Sequence, residues 1–90
     1  MVSSEIGEIK HIVRNFIVKN YLYWSEQIEI EDNQSLLEEG IVDSTGILEL
    51  AAFLESTFRI TIDDEEFIPE NLDNLNAIST YVLRKTNGSS

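Results

Sequence analysis

Apolar residues along the chain recur mostly at three- and four-residue spacing. Ile6, Ile9, Ile12, Val13, Phe16 and Ile17 make one such stripe, the pattern of a helix with one buried face. Ser3 or Ser4 is placed to cap it, Glu5 and Glu8 suit its opening turns, and Lys19 with Asn20 marks its end. A second stripe, Ile47, Leu50, Ala51, Leu54 and Phe58, predicts a helix over Ser44 to Phe58. A third, Leu75, Ile78 and Val82 with Tyr81, predicts a last helix ending near Arg84-Lys85, before a frayed tail over 87–90. Asp63-Asp64-Glu65-Glu66 lacks the spacing of a calcium loop. It predicts instead the start of a short third helix, where negative charge complements the dipole. Phe67 and Ile68 are its expected buried contacts, and Pro69 either stops it or begins another turn. The Asn71-Leu72-Asp73-Asn74 stretch supplies the cap of the last helix.

Two segments alternate instead. Ile28 and Ile30 are interleaved with Glu29 and Glu31, and Arg59-Ile60-Thr61-Ile62 is β-prone. Neither has a companion strand to satisfy its backbone, so both read as extended connectors that anchor isoleucines in a helical core. Residues 21–43 thus form a long first loop containing an aromatic run, Tyr21-Leu22-Tyr23-Trp24, and turn chemistry at Asp32-Asn33-Gln34-Ser35. Leu36 and Leu37 should return to the core before a bend at Gly40. The expectation is an all-α chain: three longer helices and one short one around a single core. Helices one, two and four should run along one another with the third set across them. Phe16, Leu50, Leu54, Phe58 and Ile78 should dominate the interior.

Ninety residues correspond to a single domain, 1–90, with its core over about 4–86. There is no cysteine, which excludes disulfides, a thiolate nucleophile and zinc–thiolate sites. No apolar run reaches the length of a membrane span, and no signal-peptide pattern opens the chain. A cytoplasmic protein and a monomer are the expectations. Seventeen acidic residues against six basic ones give a formal net charge of −11. That surface repels nucleic-acid backbones and anionic lipid heads, and it steers encounters with basic patches on protein partners. His11, with no second ligand at suitable spacing, reads as a surface or rim histidine.

The remaining chemistry is concentrated in Leu37-Glu38-Glu39-Gly40-Ile41-Val42-Asp43-Ser44. Ser44 falls where the second helix begins, a position at which Ser and Asp are favoured as caps and at which a side chain faces solvent. Asp-Ser before an apolar run is also a common helix start with no further role. The whole segment, together with Glu49-Leu50, Leu54-Glu55 and Phe58-Arg59-Ile60 downstream, resembles the attachment region of acyl and peptidyl carrier proteins. The similarity extends over roughly residues 5–86.

The resemblance implies a small four-helix bundle of the acyl-carrier type and a long first loop. It implies covalent 4′-phosphopantetheine, derived from coenzyme A, on Ser44, with Asp43 orienting the loop or contacting the modifying enzyme. Thr45, Leu48, Glu49, Ala52 and Glu55 would form the partner-docking strip, with an apolar centre and an acidic rim. Thr45 departs from the bulkier apolar residue usual in the family after the serine, which bears on partner preference.

No nucleophile–base relay accompanies Ser44, so the resemblance points to a non-catalytic carrier activated by others. Its implied partners are a phosphopantetheinyl transferase, an adenylating ligase or acyltransferase, and synthase, condensing or tailoring enzymes. Thr45 and the aromatic run point away from housekeeping fatty-acid synthesis. They point toward specialised polyketide, nonribosomal-peptide or related biosynthesis, by a stand-alone protein acting in trans. The alternative is an acidic helical adaptor that binds a basic partner without a prosthetic group.

Overall fold

The apolar stripes fold as helices that meet on their inward faces. The computed structural model describes residues 2–21 and 30–88, with side chains over 5–21 and 30–86. Helix α1 spans Val2–Tyr21, α2 Ser44–Phe58, α3 Pro69–Leu72 and α4 Leu75–Gly88, with a single 3₁₀ turn at Asp64–Glu66. There is no strand among the described residues. Ile30, the described end of the first alternating segment, and Ile60 and Ile62 of the second are buried without belonging to a strand. The architecture is therefore the all-α bundle of three longer helices and one short one, and α4 packs against each of the other three.

Several boundaries differ from the sequence expectation. Helix α1 continues through Tyr21, so this residue closes a helix instead of opening the loop. The rest of the aromatic run, Tyr23 and Trp24 included, and Ile28 lie outside the described residues, as do the side chains of Ser3 and Ser4. Helix α4 runs past Arg84-Lys85 to Gly88. Of the two readings of Pro69 the second holds: it begins a short turn of its own, opening α3 at N1, where its missing N–H costs nothing. The acidic run forms only the 3₁₀ turn ahead of α3. Ile68 and Leu37, expected inside, are both about two-fifths exposed.

The core centres elsewhere than on phenylalanines. Tyr81, Ile17, Leu36, Leu50, Leu54, Leu75 and Ile78 are fully buried, whereas Phe16 and Phe58 are half-buried and pack against the outside of that cluster. Phe16 nevertheless joins α1 to α2 by stacking on Phe53, with ring centroids 4.1 Å apart. Tyr81 is admitted to the interior because its hydroxyl has a partner: it donates to Glu66 Oε1 at 2.8 Å. The same oxygen accepts from Lys85 Nζ at 3.1 Å and from the Asp63 N–H at 3.1 Å. Burial, and then the Glu66 carboxylate, push the Tyr81 phenol well above its ordinary pKa. The Tyr81 hydrogen bond, followed by those from Asp63 and Lys85, holds Glu66 below the usual carboxylate range.

Residues 31–40 are tied to α1 on one side and to the α3–α4 junction on the other. Asp32 accepts from Lys10 at 3.0 Å and from Arg14 at 2.8 Å. The Asp32 carbonyl receives the Asn76 N–H at 3.0 Å. Asp73 receives the Ser35 hydroxyl at 2.5 Å and the Leu37 N–H at 3.0 Å, and its carbonyl receives the Leu36 N–H at 2.7 Å. The Leu36 carbonyl in turn accepts from both Ile41 and Val42, at 3.0 and 3.1 Å. Residues 31–42 are thereby tied at several points to the helices on either side and deliver the chain to α2.

Candidate functional site

The approach to Ser44 is built from a turn, a buried valine and a cap. Gly40 adopts φ +73, the left-handed conformation glycine takes without strain, and its N–H closes the turn onto Leu37 at 3.1 Å. Val42 then plugs the core at 1% exposure. Asp43 is extended, and its side-chain oxygen accepts the Gly46 N–H at 2.7 Å. The cap of α2 is therefore Asp43, not Ser44. This difference from the sequence expectation has a chemical consequence. A capping serine spends its hydroxyl on the first turn of the helix, whereas Ser44, as the first helical residue, is exposed and relieved of that duty.

The first turn of α2 is also pressed against the end of α1. A methyl group on Gly46 would stand 2.6 Å from Val42 Cγ1 and 3.3 Å from both Asp43 Oδ1 and a Tyr21 ring carbon. Val42 is the neighbour that excludes a side chain at Gly46, and the Tyr21 ring would be held only in tight contact with one. The Tyr21 hydroxyl reaches the Gly46 carbonyl at 3.4 Å and donates to Glu49 Oε1 at 2.5 Å. Burial first, and then the Glu49 carboxylate, push this phenol up to about 12, with Asp43 contributing. Tyr21 therefore remains a donor across the neutral range. In the sequence Tyr21 reads as the start of the loop's aromatic run and Gly46 as an ordinary weak helix position, and neither pattern carries their contact.

Around Ser44, residues Asp43, Thr45, Leu48, Glu49 and Ala52 are all exposed, and Leu48 is 59% accessible. Glu55 is separated from this group in role. It is half-buried, and its carboxylate accepts the Ile62 N–H at 2.9 Å, fastening the connector that follows α2. Glu38 and Glu39, also exposed, add negative charge on the approach loop. A small cleft of about 80 Å³ opens between Leu37, Ile47, Phe67, Ile68 and Leu72, and meets α2 one helical turn beyond Ser44. His11 lies on α1 beside Asn15, with which it makes a 3.2 Å contact, and takes no part in the site.

A helix-opening serine left unengaged by its own cap, on a helix that shows acidic and apolar groups to solvent, suits a hydroxyl that carries a group instead of attacking one. The sequence pattern of the phosphopantetheine attachment site matches residues 17–82. The chain belongs to the phosphopantetheine-attachment family. It is similar to the D-alanyl carrier protein of Streptococcus suis (strain 98HAH33), with 34% identity over 76 residues, covering 84% of this chain and 92% of that protein. It is similar also to the protein of the same description from strain 05ZYH33, at 33% identity over the same coverage. Members of this family are carriers, not enzymes: they are substrates of partner enzymes and hold 4′-phosphopantetheine covalently. This sets aside the adaptor without a prosthetic group. The donor set fits the group, because an exposed primary hydroxyl stands free of the cap at the opening of a helix. No helix among the described residues is long and apolar enough to cross a membrane.

Proposed function

We propose that this carrier bears its phosphopantetheine as a phosphodiester on Ser44 and acts as one unit in the shuttling of small aminoacyl groups between enzymes. The observation that carries the attachment point is the division of labour at the start of α2: Asp43 takes the cap and leaves the adjoining Ser44 hydroxyl to solvent. When bound, the group supplies a terminal thiol on which cargo is held as a thioester; the protein supplies position and recognition. A phosphopantetheinyl transferase is the partner that modifies Ser44, and the exposed Thr45, Leu48, Glu49 and Ala52 form the docking strip. Glu55 contributes to that strip mainly by holding its far end in shape, through Ile62.

The cargo is the finer part of the proposal. Both relatives are described as D-alanyl carriers, which supports an amino acid loaded by an adenylating ligase over a polyketide chain handled by condensing enzymes.

Intact mass spectrometry tests both parts. Incubation with coenzyme A, magnesium and a broad-specificity transferase should add one phosphopantetheine to the wild type and none to Ser44→Ala. Addition that survives Ser44→Ala would overturn the site. The loaded carrier is then offered D-alanine, other small amino acids and fatty acids, each with ATP and a matched ligase. Preferential charging by a fatty acid would overturn the cargo.

A further inference from the structure

An exposed glutamate ordinarily samples many rotamers, and any partner that binds it must first restrict that freedom. Glu49 is exposed on α2, yet one of its oxygens is held at 2.5 Å by a phenol whose ring is itself fixed. A ring carbon lies 3.3 Å from where a methyl group on Gly46 would stand, and the ring meets Phe16 edge-on with centroids 6.2 Å apart. The hydroxyl also touches the Gly46 carbonyl. The carboxylate, exposed but bonded, therefore loses much of its freedom, five residues along the helix from Ser44. Glu49 itself is exposed, so its own side chain does not need this bond to satisfy burial.

We propose that Tyr21 is a positioning residue that pre-orders Glu49 as the acceptor for a cationic side chain of the enzymes that act at Ser44. The inference rests on the attachment reading above and adds to it a residue from a different helix. The consequence is kinetic: partner binding is improved, while the chemistry of the transfer is untouched.

The test is a double-mutant cycle on transferase-catalysed loading, followed as mass gain on the full chain. The variants are Tyr21→Phe, Glu49→Gln and their combination, assayed well below the unfolding temperature measured for each. Tyr21→Phe keeps the ring over Gly46 and removes only the hydroxyl; Glu49→Gln keeps an acceptor for Tyr21 and removes the charge. Tyr21→Phe should raise KM for the carrier about three- to tenfold, the scale of ordering one flexible side chain on binding, with kcat unchanged. In the Glu49→Gln background the same substitution should change KM by less than about twofold. An unchanged KM in Tyr21→Phe, or an equal rise in both backgrounds, would overturn the positioning role while leaving Ser44 intact. Failure of the wild type to load would instead remove the attachment reading, and this proposal with it.

Discussion

Asp73, at the junction of α3 and α4, grips Ser35 across the chain: its carboxylate takes the Ser35 hydroxyl at 2.5 Å through one oxygen and the Leu37 N–H at 3.0 Å through the other. Both donors belong to the loop that leads to Ser44, and both lose their partner if the carboxylate is removed. Asp73→Ala should therefore destabilise the fold by about 1–3 kcal/mol, read from urea unfolding. Amide exchange should accelerate at Leu37 and through the Gly40 turn before it accelerates in α1.

Gly46→Ala tests the contact between the helix start and the end of α1. The added methyl would stand 2.6 Å from Val42 Cγ1, on a valine that is 1% exposed and has no room to withdraw. Overpacking of this kind costs about 1–3 kcal/mol, against the small gain alanine brings to an open helix position. A lower thermal midpoint, partly restored by Val42→Ala in the same chain, is the expected result.

Acid should weaken the fold through two carboxylates. The Lys10 hydrogen bond first, and then the charges of Lys10 and Arg14, hold Asp32 below its ordinary 3.8; Tyr81, Asp63 and Lys85 hold Glu66 below its ordinary 4.5. In both cases the unfolded chain takes up protons before the folded one does. The stabilisation is thus fully present above about pH 5 and is lost as pH falls through those ordinary values and beyond. Asp32→Asn should lower stability at neutral pH and flatten the acid limb of the urea midpoint plotted against pH.

Helix α2 ends on Arg59, held left-handed at φ 58 and ψ 49 where glycine is the usual terminator. A side chain in that conformation costs about 1–2 kcal/mol, and glycine returns part of the gain through a freer unfolded chain. Arg59→Gly should stabilise the protein by about 0.5–1 kcal/mol in urea unfolding, with no effect on loading.

The helices were legible because their stripes repeat. Ser44 and Phe58 bound α2 as the pattern predicts, and Ile60 and Ile62 enter the core from an extended connector as their lack of a partner strand requires. What periodicity does not encode is which of two adjacent capping residues wins. Asp43 and Ser44 are equivalent as sequence, and it is the hydrogen bond from the Gly46 N–H that identifies Asp43 as the cap. Tyr21 was hidden for a related reason. A tyrosine followed by two more aromatics has the composition of a loop, and its role depends on a glycine 25 positions away in α2. Size alone suggests Phe16 and Phe58 for the core, whereas among the described aromatics Tyr81 is the fully buried one, with Glu66 to satisfy its hydroxyl.

The Leu36 carbonyl, shared by the Ile41 and Val42 N–H groups, has a mechanical meaning under the attachment proposed for Ser44. The bracket makes the start of α2 a stationary pivot, so whatever travels between partner enzymes sweeps a sphere centred on one point of the bundle. The radius of that sphere is set by the pendant group alone, and the protein's share of the journey is to turn as a whole and present the same hub to each enzyme in succession.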